Sequence, residues 1–435
     1  MDKHDMNKHD MNKHDANKHD TNKHDSGARR AHSAAIIGGS LGGLFAANLL
    51  HRAGWTVNVY ERVDDALAER GAGVVTHPEL FDVLAAIGIE DAAIGVEVPS
   101  RITLDREGRR VGEHPHPQVL TAWGRLYTLL RQALPASCYH SGMQLVEVSQ
   151  DGEGATAQFS DGSACSADLL IAADGIRSTV RQLVAPDIAP EYAGYVAWRG
   201  LVEEGDLSAA THAALFGHFG FCLPPREQML GYPVAGAFNA MEAGRRRYNF
   251  VWYRPADEGE VRRLSTDAAG RHHDKGIPPP LISPAVIAEM RAVAERSLSP
   301  QFAEVVARTS QPFFQPIYDL ASPRLDYGRI VLLGDSAFVA RPHCGMGVTK
   351  AAGDALALVR CLKALPLDRA LAAYSRERVA YGQGIVAHAR HLGAYMQAQL
   401  ATAHEVAMAE KYRTPAAVMR ETAVPPVLET PAREA

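Results

Sequence analysis

Apolar and polar positions along the chain fall into two textures. In the first, short apolar runs alternate with stretches of helical spacing. Ala34–Ile37 is an unbroken apolar run closed by glycines, Leu44–Leu50 repeats apolar residues at helical spacing, and Thr56–Tyr60 alternates. Strand, helix and strand in that order predict a βαβ unit opening a parallel sheet. The same reading predicts helices over Pro78–Ile87 and Arg125–Leu134, a hairpin from Met143–Val148 and Ala155–Phe159, and a buried strand at Asp168–Ala172. The second texture runs from about Pro186 to Ser322. Its segments Tyr195–Val202, Ala214–Leu223, Met229–Val234 and Tyr248–Tyr253 are short, aromatic-rich and alternating, which predicts a mainly antiparallel sheet. Asp267–Pro280 is polar and proline-rich and reads as a surface loop. The first texture returns with a buried strand at Arg329–Leu333 and helices over Gly347–Leu362 and from Arg369 to about Ala409.

This divides the chain into a flexible N-terminal tail (1–31), the first part of an α/β domain (32–185), a sheet domain (186–325), the second part of the α/β domain (326–365), a helical region (366–412) and a flexible tail (413–435). The N-terminal tail is a five-residue tandem repeat of the form Met-Asn-Lys-His-Asp. It has no apolar face at any period and is expected to be disordered.

At 435 residues the chain is long enough for about two or three domains, and 46% hydrophobic with 22% charged residues is the balance of a globular protein. A formal net charge of −5 gives no reason to expect nucleic acid or a membrane surface as partner. No apolar run reaches about 18 residues. Cys138, Cys165, Cys222, Cys344 and Cys361 are odd in number, scattered and without a Cys-x-x-Cys, so reduced thiols in a cytoplasmic protein are expected rather than disulfides or zinc.

Three segments carry candidate chemistry. Gly38-Gly39-Ser40-Leu41-Gly42-Gly43 lies between a predicted strand and helix, where glycines permit a tight turn, a close approach to a pyrophosphate and helix–strand packing. Ser40 replaces the usual middle glycine. Glu61, 23 residues beyond Gly38 at the end of the second strand, is placed to accept hydrogen bonds from a ribose, with Arg62 beside it. Asp174-Gly175-Ile176-Arg177-Ser178-Thr179-Val180-Arg181 follows a buried strand and makes a second anion- or sugar-binding edge. Gly334-Asp335-Ser336 follows another strand and continues through Pro342-His343-Cys344-Gly345-Met346-Gly347 into a helix containing Asp354. An Asp at a strand end can hold a polyol, and a glycine-rich helix N-terminus can stabilise an anion.

In this order and at these separations, the three segments resemble the FAD-dependent aromatic hydroxylases with the para-hydroxybenzoate hydroxylase fold. The resemblance spans roughly residues 33–395. It implies a Rossmann-like FAD-binding domain, a second, mainly antiparallel β-sheet domain for substrate, and C-terminal helices. Carried over by position, it assigns FAD to Gly38, Ser40, Leu41, Gly43, Glu61, Arg62, Arg125, Asp174, Arg181, Gly334, Asp335, Gly345, Met346, Gly347 and Val348. Phe250-Val251-Trp252-Tyr253-Arg254, the stretch 312–323 and Ala340-Arg341-Pro342-His343 resemble the dihydroxypyridine-hydroxylase branch of that family. Phe338 and Thr349 depart from the residues common in the wider family. The resemblance implies NAD(P)H and O2 as co-substrates, a small electron-rich ring as substrate, oxygen transfer through a flavin C4a-hydroperoxide, no metal, and a homodimer.

His343, Tyr253 and His218 are the catalytic candidates, His343 because its loop should border the flavin and the other two because their strands should wall the pocket. Tyr232 is a further wall candidate, and Arg199 and Arg254 are weighed as partners of a substrate anion. His272-His273-Asp274 reads as solvated. Two other readings stand beside the hydroxylase: an oxidase, dehydrogenase or halogenase on the same fold, and a flavin-binding protein without turnover. Against halogenation, Trp252 stands without a Trp-x-Trp-x-Ile-Pro segment.

Overall fold

The computed structural model describes residues 31–64, 73–89 and 94–427. The N-terminal repeat and the last eight residues of the expected flexible tail lie outside these. A six-stranded sheet is built on Ser33–Ile37, which pairs in parallel with Thr56–Tyr60 on one side and Leu169–Ala172 on the other. Ile330–Leu332 extends it, also in parallel, beyond Leu169–Ala172. The three inner segments Ala34–Ile37, Leu169–Ala172 and Ile330–Leu332 are buried along their whole length, because helices such as Leu41–Arg52 and Gly347–Ala364 cover the sheet. The chain enters the carboxyl end of this sheet three times, and each time one of the three motifs follows.

The second sheet has nine strands. Within it, Glu191–Glu203 is flanked antiparallel by Arg247–Pro255 and Phe313–Ala321. Strand alternation gives it two different faces. Val196, Trp198 and Val202, with Trp252, Phe250 and Met229 from neighbouring strands, form a core beneath helices Pro284–Ser297 and Pro300–Arg308. Trp198 is directly opposite both Trp252 and Phe314, the kind of cross-strand aromatic pairing that stabilises a sheet by about 0.2–1 kcal/mol per pair. The intervening residues Tyr195, Ala197, Val251 and Tyr253 belong to the opposite face, with Phe219, Leu230, Tyr232 and Ile317.

The structure departs from the sequence expectations in four places. Val96–Leu104, Arg110–Ala122 and Gly73–Val75, inside the stretch assigned to the α/β domain, join the large sheet instead. Ala214–Leu223 is not one strand: helix Ala209–Leu215, capped by Ser208, precedes strand His218–Cys222. The long helix beginning near Arg369 stops at Gly393 and a new one spans Ala403–Tyr412. Thr402 and Glu405 form a reciprocal capping box there, which restarts the helix. Finally, residues 413–427 are not a loose tail. Helix Pro415–Glu421 is capped by Thr414 and buries Ala417, Val418 and Met419.

Candidate active site

A groove of about 570 Å3 lies along the carboxyl end of the parallel sheet. Gly38 has φ of 106°, and a Cβ there would overlap the Ala173 carbonyl. A Cβ on Gly43 would overlap the Gly38 carbonyl, and one on Gly39 the Tyr139 phenol. These glycines therefore bring the helix Leu41–Arg52 tight onto its strand, with the unpaired N–H groups of its first turn beside the groove. Ser40, at the N-cap with an uncommitted side chain, and Leu41 both line the groove. Glu61 is buried and lines it too; its Oε2 accepts from the Gly39 N–H (2.8 Å) and its Oε1 from the Val63 N–H (3.0 Å).

Asp174 faces the same groove. Its Oδ2 accepts from the Val180 N–H (3.2 Å), but its Oδ1 is buried without a partner, and burial raises its pKa. On the third edge, Gly334 and Asp335 line the groove. Asp354 holds Gly334 from behind: its Oδ2 accepts from the Gly334 N–H (3.1 Å) while its Oδ1 accepts from Arg378 Nε (2.7 Å). Lys350 is fully buried, 3.6 Å from Asp354 and 4.0 Å from Asp335.

The groove opens into a cavity of about 930 Å3, and Arg62, Asp174, Arg177, Asp335 and Gly347 line both. The far wall is the second face of the large sheet: Phe219, Leu230, Tyr232, Val251 and Tyr253. Arg199 projects from this otherwise apolar and aromatic surface, and its Nε is buried without a hydrogen-bond partner. Burial pushes the Tyr253 phenol up to about 12 and raises that of Tyr232, while the Arg199 charge lowers both. Both phenols are therefore protonated near neutral pH.

The structure distributes the candidate residues unevenly. Gly38, Ser40, Leu41, Glu61, Arg62, Asp174, Gly334, Asp335, Gly347 and Val348 line the groove, and Gly345 lines the cavity. Arg181 does not; its fully buried guanidinium donates to the Ser336 carbonyl (2.9 Å) and the Ile176 carbonyl (2.6 Å) and braces two edges from below. At the head of helix Trp123–Ala133 the groove is lined by Trp123 rather than Arg125. Met346 points into a hydrophobic cluster with Ile385 and Leu392.

Of the three catalytic candidates, only Tyr253 lines the cavity. His218 lies on a different part of the sheet, where its Nδ1 is 2.9 Å from Ser100 Oγ and its Nε2 3.2 Å from Arg110. His343 is fully buried behind Tyr253, with ring centroids 4.3 Å apart and its Nε2 2.7 Å from the Tyr195 hydroxyl. Burial, with Arg341 and Arg199 nearby, pushes its pKa down to about 3. The cause of its burial is local: Pro342-His343-Cys344 forms a single 3-10 turn against Tyr195, and Arg341 is fixed by Asp319 (2.8 Å). Arg254 is occupied by Glu227 (3.1 Å), which leaves Arg199 as the cavity arginine of the two. His273 pairs with Asp267 (2.9 Å) and His272 with Asp274 (3.1 Å), whereas Lys275–Pro279, expected to be surface loop, line the cavity.

A glycine turn with no room for side chains, a helix N-terminus, an orphaned buried carboxylate oxygen and an open carboxylate at a strand end together fit the ADP and polyol parts of FAD. The chain belongs to the FAD-dependent aromatic hydroxylase family. It is a monooxygenase that hydroxylates an aromatic ring, using FAD as cofactor, NAD(P)H as co-substrate and O2. Residues 192–319 match a family model described as FAD binding domain-like. The chain is 34% identical over 326 residues to 2,6-dihydroxypyridine 3-monooxygenase of Paenarthrobacter nicotinovorans, covering 74% of this chain and 81% of that one. It is 28% identical to 6-hydroxynicotinate 3-monooxygenase of Pseudomonas fluorescens, covering 76% and 82%. The solved structure of 2,6-dihydroxypyridine-3-hydroxylase from Arthrobacter nicotinovorans superposes with a TM-score of 0.82 at 29% identity, covering 92% of this chain and 99% of that one.

Proposed function

We propose that the ring is a hydroxypyridine-like N-heteroaromatic, bound as an oxyanion to Arg199. The observation that carries this reading is Arg199 itself, a cation without a protein partner at Nε on a wall of aromatic and aliphatic side chains. A guanidinium in such surroundings pairs with an anionic oxygen more strongly than it would in water. Ionising a ring hydroxyl also makes the ring electron-rich, which suits attack on electrophilic oxygen. The protonated phenols of Tyr253 and Tyr232 are available to donate to ring oxygen or nitrogen. The apolar wall excludes water from the reacting atoms.

When bound, FAD supplies hydride acceptance from NAD(P)H and activation of O2. Gly38, Ser40, Leu41, Glu61, Asp174, Gly334 and Asp335 would hold it, with Gly347 and Val348 at the junction where groove and cavity meet. His343, neutral and enclosed, acts by fixing Tyr195 and backing Tyr253 rather than by touching substrate. We include in the proposal a cytoplasmic homodimer; the five cysteines are unpaired, and light scattering tests the assembly.

The test is NADH and NADPH oxidation by the purified yellow protein with and without 2,6-dihydroxypyridine, with 18O-labelled dioxygen and mass spectrometry of the product. Stimulated oxidation with one labelled oxygen in the ring product supports the reading. FAD binding with no stimulation by this or other hydroxypyridines refutes the substrate class.

A further inference from the structure

The reaction cavity has a wall contributed by the C-terminal end of the chain. Thr422 and Ala423 line it, just past helix Pro415–Glu421. What holds them there is unusual chemistry. Arg101 is fully buried, and its guanidinium donates to the carbonyls of Met419 (2.8 Å), Thr422 (2.5 Å) and Ala423 (3.3 Å) and to Gln118 Oε1 (2.8 Å). Each of these acceptors is neutral. Three are backbone oxygens at a helix C-terminus, where the partial negative charge favours a cation.

Ala423 is held from several further directions. Its carbonyl also accepts from Gln118 Nε2 (3.2 Å) and lies 3.3 Å from His77 Nε2, and its N–H donates to the His343 carbonyl (2.6 Å). Its φ of 56° is left-handed, which costs a residue with a Cβ about 1 kcal/mol. Such a conformation persists where surrounding contacts over-determine it. His77 in turn reaches Thr349 Oγ1 (3.1 Å) at the head of helix Gly347–Ala364, so the wall is registered to the loop that borders the FAD groove.

We propose that Thr422 and Ala423, carried by helix Pro415–Glu421, wall one side of the reaction cavity, that Arg101 is the positioning residue that seats them, and that this seating decides whether activated oxygen reaches the ring. The proposal rests on the hydroxylase reading above. With the wall closed, NAD(P)H, H+, O2 and the aromatic C–H compound give NAD(P)+, the hydroxylated ring and water. With it open, water enters, and the two electrons of NAD(P)H reduce O2 to H2O2: NAD(P)H, H+ and O2 give NAD(P)+ and H2O2, and the ring is untouched. Excluding that side reaction is a general task of closed active sites.

The experiment compares the FAD-loaded wild type with R101M and with a chain ending at Arg413, using 2,6-dihydroxypyridine, NAD(P)H oxidation, product yield and H2O2. Both variants are expected to retain FAD and oxidise NAD(P)H, with roughly tenfold less hydroxylated product per NAD(P)H and the balance as H2O2. Wild-type coupling in the shortened chain overturns the proposal. Hydrogen exchange at the Ala423 amide is an independent readout that needs no turnover. Protection in the wild type that is lost in R101M supports the clamp; equal exchange in both overturns it. A wild type that hydroxylates no hydroxypyridine refutes the substrate reading and leaves the exchange comparison intact.

Discussion

Replacing Arg199 by Met separates binding of a substrate anion from every other role of the cavity wall. Among the described residues the Arg199 side chain makes no hydrogen bond or ion pair, and its Nε has no partner. Removing the guanidinium therefore breaks no protein hydrogen bond or ion pair, and the melting temperature should hold or rise slightly, because an unpaired cation on an apolar wall is itself a cost. Catalysis should respond differently. A hydrogen bond between charged groups contributes about 1.5–3 kcal/mol net. At ~1.4 kcal/mol per decade, R199M should lower kcat/KM about 10- to 150-fold. The lower half of that range is expected, since Arg199 is only half-buried. The pH dependence carries the sign. Arg199 stabilises the ionised ring hydroxyl of the bound ring, so its loss should move the acid limb of kcat, which reports the enzyme–substrate complex, to higher pH. The variant should raise the Tyr253 and Tyr232 phenols further, because Arg199 lowers both, so no tyrosine ionisation enters the assay range. The assay is steady-state turnover from pH 6 to 9, with FAD content and melting temperature as controls. An R199M enzyme within twofold of wild type, with an unmoved acid limb, would refute the anion-binding argument.

Other predictions follow the same physics. His343 is held neutral by burial, with its pKa pushed to about 3, below the unfolded value. The unfolded chain alone takes up this proton as pH falls below about 6.5, so stability is lost on acidification toward pH 3 by at most ~1.4 kcal/mol per unit. Urea denaturation at pH 7 and pH 5 should show that loss in wild type and a smaller one in H343Q. K350M removes the buried cation between Asp335 and Asp354 and should weaken FAD binding, read by flavin fluorescence on titrating the apoprotein; unchanged affinity would exclude Lys350 from positioning Asp335. G43A, whose Cβ would overlap the Gly38 carbonyl, should purify with little or no FAD, as judged from its visible spectrum.

Much of the groove was legible because its requirements are local. A strand end, a glycine turn and a helix start are contiguous in sequence, so Gly38–Gly43, Asp174 and Gly334–Asp335 could be placed by pattern alone. The wall of the cavity was less legible because strand alternation says which residues share a face, not which face meets a ligand. Tyr253 and His218 were equally plausible on that basis, yet only Tyr253 lines the cavity. For His343, adjacency to a flavin loop does not specify inward or outward rotation of the side chain; the turn at Pro342–Cys344 sends it beneath Tyr253. The C-terminal wall did carry a signal. Thr402-x-x-Glu405 restarts a helix inside the region read as helical, and Thr414-Pro415 is a helix-start signature at the head of the stretch expected to be a flexible tail. Arg101 left none, since the backbone carbonyls it holds are more than 300 residues away.

The two-faced sheet also bears on how this protein can change. Residues 195, 197, 199, 251 and 253 belong to the cavity face, whereas their immediate neighbours 196, 198, 250 and 252 anchor the helices behind. Ligand choice and folding are thus written on alternate letters of the same strands. A lineage, or a library, can rewrite one set while leaving the other untouched, so new ring specificities are accessible by single substitutions that do not draw on the stability held by Trp198 and Trp252.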